Sequence, residues 1–232
     1  MRGSVGAHAR LSTVNDWHDW HDAYDDADSW QARRLVTVRQ RIGMVLDSAG
    51  PGALNVLAMV AGQGRDLLPV LARHPRRDEV NARLVELDAR NADAARATAR
   101  EAGLAAVEVI TGDAALTDHY LGAAPADLVL ICGLFPHITA EDIDRVVRQS
   151  TALTKHGGSV IWTMHRRPPD KVPEIAGWFE REGFEAVWVT DPAIEHAVAV
   201  HRFRGQPRPL AAGLSLFTFV GVRTLRPWEY AN

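Results

Sequence analysis

Between Leu54 and Phe203 the chain repeats one pattern: a short apolar run, a glycine or acidic turn, then a stretch of helical period. That repetition constrains the fold more than any other feature. The first run, Leu54 to Ala61, is almost wholly apolar, as expected of a strand buried on both faces. Gly62-Gln63-Gly64 follows it and opens a short helix expected over 66–73, which stops before Pro75. Further strands are expected at 82–87, 107–110, 127–132 and 159–163, with helices over 91–101, 139–153 and 172–182. Two last strands, 184–190 and 195–203, read as a closing antiparallel hairpin. Alternating strands and helices predict an α/β fold: a mostly parallel sheet with helices on both faces. Right-handed crossovers leave few topologies for it. Ahead of the sheet, Ser29 is placed to cap a helix carrying Leu35, Val38, Ile42, Val45 and Leu46 on one face, broken by Ala49-Gly50-Pro51-Gly52.

Composition narrows the class. At 232 residues and 47% hydrophobic content, the chain is long enough for one sizeable core. A formal net charge of -3 gives no general attraction to nucleic acid or anionic membranes. The one cysteine, Cys132, excludes an internal disulfide and fits a reducing compartment; it reads as strand-end packing. The opening MRGSVGAHARLSTVNDWHDW has no apolar h-region, and no apolar stretch reaches the length of a bilayer span. A cytoplasmic protein without a membrane or nucleic-acid partner is therefore expected.

In an open parallel sheet, ligands bind beyond the carboxyl ends of the strands, where strand order reverses. Three such ends stand out. The first is Ala61-Gly62-Gln63-Gly64-Arg65-Asp66, whose glycines allow close backbone approach to a ligand. The second is Leu87-Asp88, a carboxylate at the right distance along the chain for ribose hydroxyls. The third is Gly112-Asp113-Ala114.

Taken together, LVELD, VEVITGDA and ADLVLICG resemble the class I S-adenosylmethionine-dependent methyltransferases, a Rossmann-like family, over roughly Leu54 to Phe203. The resemblance implies S-adenosyl-L-methionine as cofactor, with Ala61, Gly62, Gln63 and Gly64 as the loop under its methionine part. It implies Asp88 on the ribose, with Glu86 as second choice, and Asp113 with Ala114 at the adenine. Gly133, in the Cys132–Phe135 turn after the fourth strand, would lie near the sulfonium. It also implies a domain plan: a cap over 1–50, the cofactor-binding domain over 51–205 and an extension over 206–232. The sequence departs from the family's VLDIGCGxG, reading VLAMVAGQG, so Ala58 stands for an acid and Val60 for the first glycine. Asp66, or a residue of the WHDWHDAYDD segment such as Tyr24, is then expected near the cofactor's amino group.

Alternatives remain at this level. An NAD site usually needs a third glycine at the helix start, where this chain has Asp66 and Leu67; a carboxylate there repels a pyrophosphate and tolerates a sulfonium. A binding protein without transferase activity is a second reading, and methylation of nucleic acid a third. The third lacks both a basic surface in the composition and a DPPY-like tetrapeptide, the chain reading CGLFPH. For the methyl acceptor, expected to be a small molecule, His137 and His165 are candidate general bases and Arg166 a candidate anion contact; the default for each is a solvated loop residue. His18 and His21 with nearby aspartates suggest a metal only weakly, and a solvated acidic lid fits better. The apolar run Leu214 to Val222 either adds a strand, covers the sheet or joins a homodimer.

Overall fold

A computed structural model describes residues 24–227. Trp17, His18, Trp20 and His21 lie outside the described residues. The first helix, α1 (Trp30–Ser48), starts where its cap was expected: the Ser29 hydroxyl accepts from Ala32 N at 3.0 Å. Leu35, Val38, Ile42 and Leu46 are its buried stripe, and Arg34 shares their face.

Seven strands form one sheet in the order β3-β2-β1-β4-β5-β7-β6. They are β1 (Leu54–Ala58), β2 (Val80–Glu86), β3 (Val107–Thr111), β4 (Ala126–Ile131), β5 (Thr154–His165), β6 (Phe184–Val189) and β7 (His196–Phe203). The first five pair in parallel, and β7 runs antiparallel to both β5 and β6, so the closing hairpin is present. Five further helices cover or flank the sheet: α2 (Leu68–Leu71), α3 (Ala89–Glu101), α4 (Ala140–Leu153), α5 (Val172–Arg181) and α6 (Val222–Leu225). The Thr139 hydroxyl caps α4 through Asp142 N at 3.2 Å.

Alternation along the central strands builds a core on each face. Val129, Ile131, Val160 and Trp162 face one layer with Val146, Ile175 and Phe179. Leu128, Leu130 and Ile161 face the other with Ile42, Leu68 and Ala95. The strands are apolar runs because both faces are covered.

Two boundaries differ from expectation in an informative way. β1 ends at Ala58, three residues early, because Val60 turns the backbone to a φ of 44°. β5 is longer than expected at both ends: β7 pairs with it out to His165, and at its start Thr154 pairs with Ala126 of β4. Order reverses between β1 and β4, so the carboxyl ends of these strands open a crevice.

Candidate active site

The crevice is a cavity whose floor comes from the first three strand ends. Val60, Ala61, Gly62 and Asp66 line it from the turn after β1. Val60 stands where the VLDIGCGxG pattern has its first glycine, and it keeps the left-handed turn. A β-branched residue with positive φ is strained, so the loop geometry is held by its surroundings despite the substitution. Gly62 (φ 55°) adopts the same region at little cost. Gly64 stays off the cavity: a Cβ there would come within 2.5 Å of the Leu68 side chain, so this glycine serves helix–strand packing. Gln63 also turns away, its amide donating to Asn91 Oδ1 and its carbonyl accepting from Arg65 Nε.

The second strand end exchanges the two expected acids. Glu86, the last residue of β2, is 8% exposed and lines the cavity. Its Oε2 accepts from Gly62 N at 2.8 Å and its Oε1 from Asp88 N at 2.9 Å, tying the β1 turn to the β2 end. Burial pushes its carboxyl above the usual range, and the two N–H groups counter this. Asp88 does not line the cavity. It caps α3 through Arg90 N and forms an ion pair with Arg90 at 2.7 Å, which lowers its pKa. The reason is positional: Asp88 lies past the strand and is the first residue able to cap the helix.

At the third end Asp113 and Ala114 both line the cavity. Asp113 Oδ1 accepts from Ala115 N, and the Ala114 carbonyl accepts the buried Tyr120 hydroxyl at 2.7 Å. Gly133 lines the wall after β4. Its N–H donates to Thr163 Oγ1 at 2.8 Å, and nothing lies within 4 Å of where a Cβ would stand.

The remaining wall was largely hidden from sequence reasoning. Arg34 of α1 is 5% exposed and reaches the cavity, where Tyr24 accepts a hydrogen bond from it. Burial works against its charge, but Tyr24 and Asp66 beside it outweigh that, and the guanidinium stays charged. Burial raises the Tyr24 hydroxyl to about 12, so it stays protonated. Asp25 pairs with Arg65 at 2.6 Å and fastens this segment beside the cavity. The signal for Arg34 was present: an arginine four residues before Val38 on an otherwise apolar stripe.

The chain beyond β7 supplies the last wall. Leu216 N donates to Ala115 O at 2.8 Å, Thr218 N to Asp142 Oδ2 at 2.8 Å, and Val220 and Gly221 N to His137 O at 2.9 Å. This strap brings Phe217 and Phe219 to the cavity. His137 lines it as well, with its Nδ1 accepting from Val222 N at 3.1 Å. Burial, with Arg34 and His165 adding, lowers its pKa to about 4. A neutral imidazole that accepts at Nδ1 carries its proton on Nε2, so the geometry runs against the expected general base. His165 ends β5 opposite His196 of β7 and is not part of the lining. Arg166 is likewise diverted from any ligand: it pairs with Asp170 at 2.8 Å and donates to Thr190 O at 2.9 Å, its side chain 7% exposed. It pins the β5 loop to the end of β6. Cys132 lines the cavity as a buried thiol whose pKa burial raises. Among the described residues no group of histidine, cysteine and acidic side chains could hold a metal, and no helix is long and apolar enough to cross a membrane.

This set of groups fits a zwitterionic sulfonium nucleoside. Arg34 offers a buried cation for a carboxylate, and Asp66 an anion for an ammonium. The Glu86 oxygens each retain a lone pair beside their backbone donor for ribose hydroxyls. Comparison with known proteins agrees. Residues 56–158 match a family model described as a methyltransferase domain. An O-methyltransferase family protein from Burkholderia thailandensis is 21% identical, with 79% of this chain and 59% of that one covered and a TM-score of 0.57. This chain thus spans 59% of that relative's length. Magnesium protoporphyrin IX methyltransferase from Synechocystis, solved with S-adenosylmethionine bound, is 13% identical over 83% of this chain and 100% of that one, with a TM-score of 0.61. An O-methyltransferase family 2 protein from Planctomyces limnophilus, solved with apigenin, is 17% identical over 74% and 58%, with a TM-score of 0.57. A search of curated proteins finds no match to this chain. Residues 56–158, a little under half of the chain, thus match a methyltransferase domain, and the fold is shared with solved methyltransferases, one of them with S-adenosylmethionine bound.

Proposed function

We propose that the chain methylates a small molecule at oxygen or nitrogen, taking the methyl group from S-adenosylmethionine. The observation that carries this reading is the convergence of Gly62, Glu86 and Asp113, from three successive strand ends, on one cavity. Glu86, rather than Asp88, is the residue we assign to the ribose, and Asp113 with Ala114 to the adenine. Arg34 and Asp66 take the carboxylate and ammonium of the methionine part, with Tyr24 orienting Arg34. The cofactor supplies a methyl group already activated on its sulfonium. The protein's task is therefore to align two reactants and exclude water. Arg34, Asp66 and Glu86 fix one of them, and the strap carrying Phe217 and Phe219 shields the cavity. His137 contributes an N–H rather than a base, which suits an acceptor whose nucleophilic atom needs no proton removed by this residue. A net charge of -3 favours a small acceptor over nucleic acid.

Titration calorimetry with S-adenosylmethionine, S-adenosylhomocysteine and NAD tests the cofactor half. Binding of both S-adenosyl compounds and none of NAD is expected, and the reverse would end the reading. A screen of small alcohols, phenols and amines with methyl-labelled donor tests the acceptor half, and the mass of the product locates the methylated atom. Label transfer only to carbon would refute the oxygen or nitrogen assignment.

A further inference from the structure

The turn after β1 carries a conformational cost that a glycine in the same place would avoid. Val60 holds a φ of 44°, a region that β-branched residues rarely enter, while Gly62 and Gly64 occupy it freely on the same turn. Two backbone bonds impose it. Met59 N donates to Leu130 O of β4 at 3.0 Å, and Ala61 N donates to Val85 O of β2 at 3.0 Å. In a regular strand, residues two apart point the same way; here they face opposite neighbours, and Val60 makes the switch between them. Its isopropyl group is half-buried, packed against the core on one side and lining the cavity on the other. The β1–β4 register sets Ala58 level with Leu130, so Val60, two residues on, stands beside Cys132 and Gly133. All three line the cavity. Gly133 leaves its side open, with nothing within 4 Å of where a Cβ would stand. One wall is thus bare and the wall beside it carries a branched apolar group. Strain retained at the wall of a cavity points to a role for the side chain that causes it.

We propose that Val60 is a specificity-determining residue for the donor: it bounds the space around the sulfonium and limits the transferable group to the size of a methyl. The proposal rests on the methyl-donor reading above and deepens it for the same site. The donor's sulfur joins the ribose, assigned to Glu86, to the amino-acid part, assigned to Arg34 and Asp66. Val60 lies on the turn that links those anchors, since Gly62 N donates to Glu86 and Asp66 closes the turn. A fixed apolar wall at that point rejects one additional methylene by about 10- to 200-fold. Valine suits the task because its branched side chain is stiff and its backbone is pinned on both sides. Glycine at this position relieves the strain but leaves both walls bare.

The test uses S-adenosylmethionine and S-adenosylethionine, which differ by one methylene on sulfur. Each is titrated calorimetrically into the whole chain. The wild type is expected to bind the methyl compound at least tenfold tighter than the ethyl compound. Val60→Gly is expected to narrow that ratio to about threefold, Val60→Ala to give an intermediate ratio, and Val60→Thr, of the same shape, to keep the wild-type ratio. Relief of strain predicts a Tm for Val60→Gly no lower than that of the wild type. Equal affinity of the wild type for the two sulfonium compounds would overturn the proposal, as would an undiminished ratio in both Val60→Gly and Val60→Ala. A Tm lowered by more than about 4 °C in Val60→Gly would assign the valine to core packing and overturn the argument from strain. No binding of S-adenosylmethionine or S-adenosylhomocysteine by the wild type is a separate outcome: it would remove the donor reading and this proposal with it, whereas the other outcomes leave that reading standing.

Discussion

Glu86 answers to two backbone N–H groups at once, and that dual bond explains why it and not Asp88 faces the cavity. A strand's last residue still has its side-chain direction set by ladder pairing, whereas a residue two positions on is free to cap the following helix. The pair therefore separates by experiment. Glu86→Gln keeps the volume but removes the charge that receives Gly62 N–H, and should weaken S-adenosylmethionine about tenfold, the scale of a lost charged hydrogen bond. Asp88→Ala should leave affinity within about twofold and instead cost about 1 kcal/mol of stability as a lost cap. Calorimetry and thermal unfolding on both variants check this, and the opposite pattern would restore Asp88 to the ribose. His137 offers a second contrast. With Nδ1 accepting from Val222 and a pKa near 4, the ring does not titrate between pH 6 and 7. The pH profile of kcat/KM for His137→Gln is thus expected to keep the wild-type shape across that interval. A limb near pH 6.5 that vanishes in the variant would show it to be the base after all. The motif LVELD showed that an acid stands here but not which one, because one-residue precision at strand ends is beyond periodicity.

Among the elements, the strap over 214–222 does most to complete the cavity and was least legible. Its apolar run suggested covering, strand addition or dimerisation equally, since its hydrogen bonds go to isolated partners far away in sequence. Leu214 meets Thr117, Leu216 meets Ala115, and Thr218 meets Asp142. No local pattern encodes such contacts. By contrast, α1 was readable down to its Ser29 cap, and a mostly parallel sheet with a closing hairpin followed from alternation, because both are written in nearest-neighbour periodicity. Asp142 is 6% exposed and holds both Thr218 N and Arg145. Asp142→Ala should therefore free the middle of the strap, costing about 2 kcal/mol, or a fall of about 4–8 °C in Tm. It should also raise acceptor KM while S-adenosylhomocysteine affinity changes little. Thermal unfolding and steady-state kinetics measure both, and an unchanged KM would mean that the strap is not anchored through this carboxylate.

At the scale of the whole molecule, the fold was legible because its two-faced sheet demands apolar strands, and the cavity was legible mainly where it coincides with strand ends, with Tyr24 the exception. What the sequence could not reveal is how much ionisable material the interior carries. His201 of β7 is fully buried between aromatic rings: Trp162 Nε1 donates to its Nδ1 at 3.1 Å, and Phe179 stacks at 4.9 Å. Burial lowers its pKa from 6.5 to about 4. His137 is lowered to about 4 as well, and His196 is lowered by burial and by Arg34 and Arg33. Each of these rings is neutral in the folded chain at a pH where the unfolded chain has begun to take up protons. Their stabilisation is therefore complete above pH 6.5 and is lost as the pH falls from there towards 4. For His201 alone the loss is on the order of 3 kcal/mol, a sizeable part of the stability of a typical domain. Unfolding midpoints in urea are expected to hold steady from pH 8 to 7 and to decline continuously below 6.5. His201→Phe, which keeps an aromatic ring but cannot bind a proton, should show a shallower decline over the same interval. Parallel curves for the two proteins would mean that the buried imidazole at position 201 plays no part in acid sensitivity.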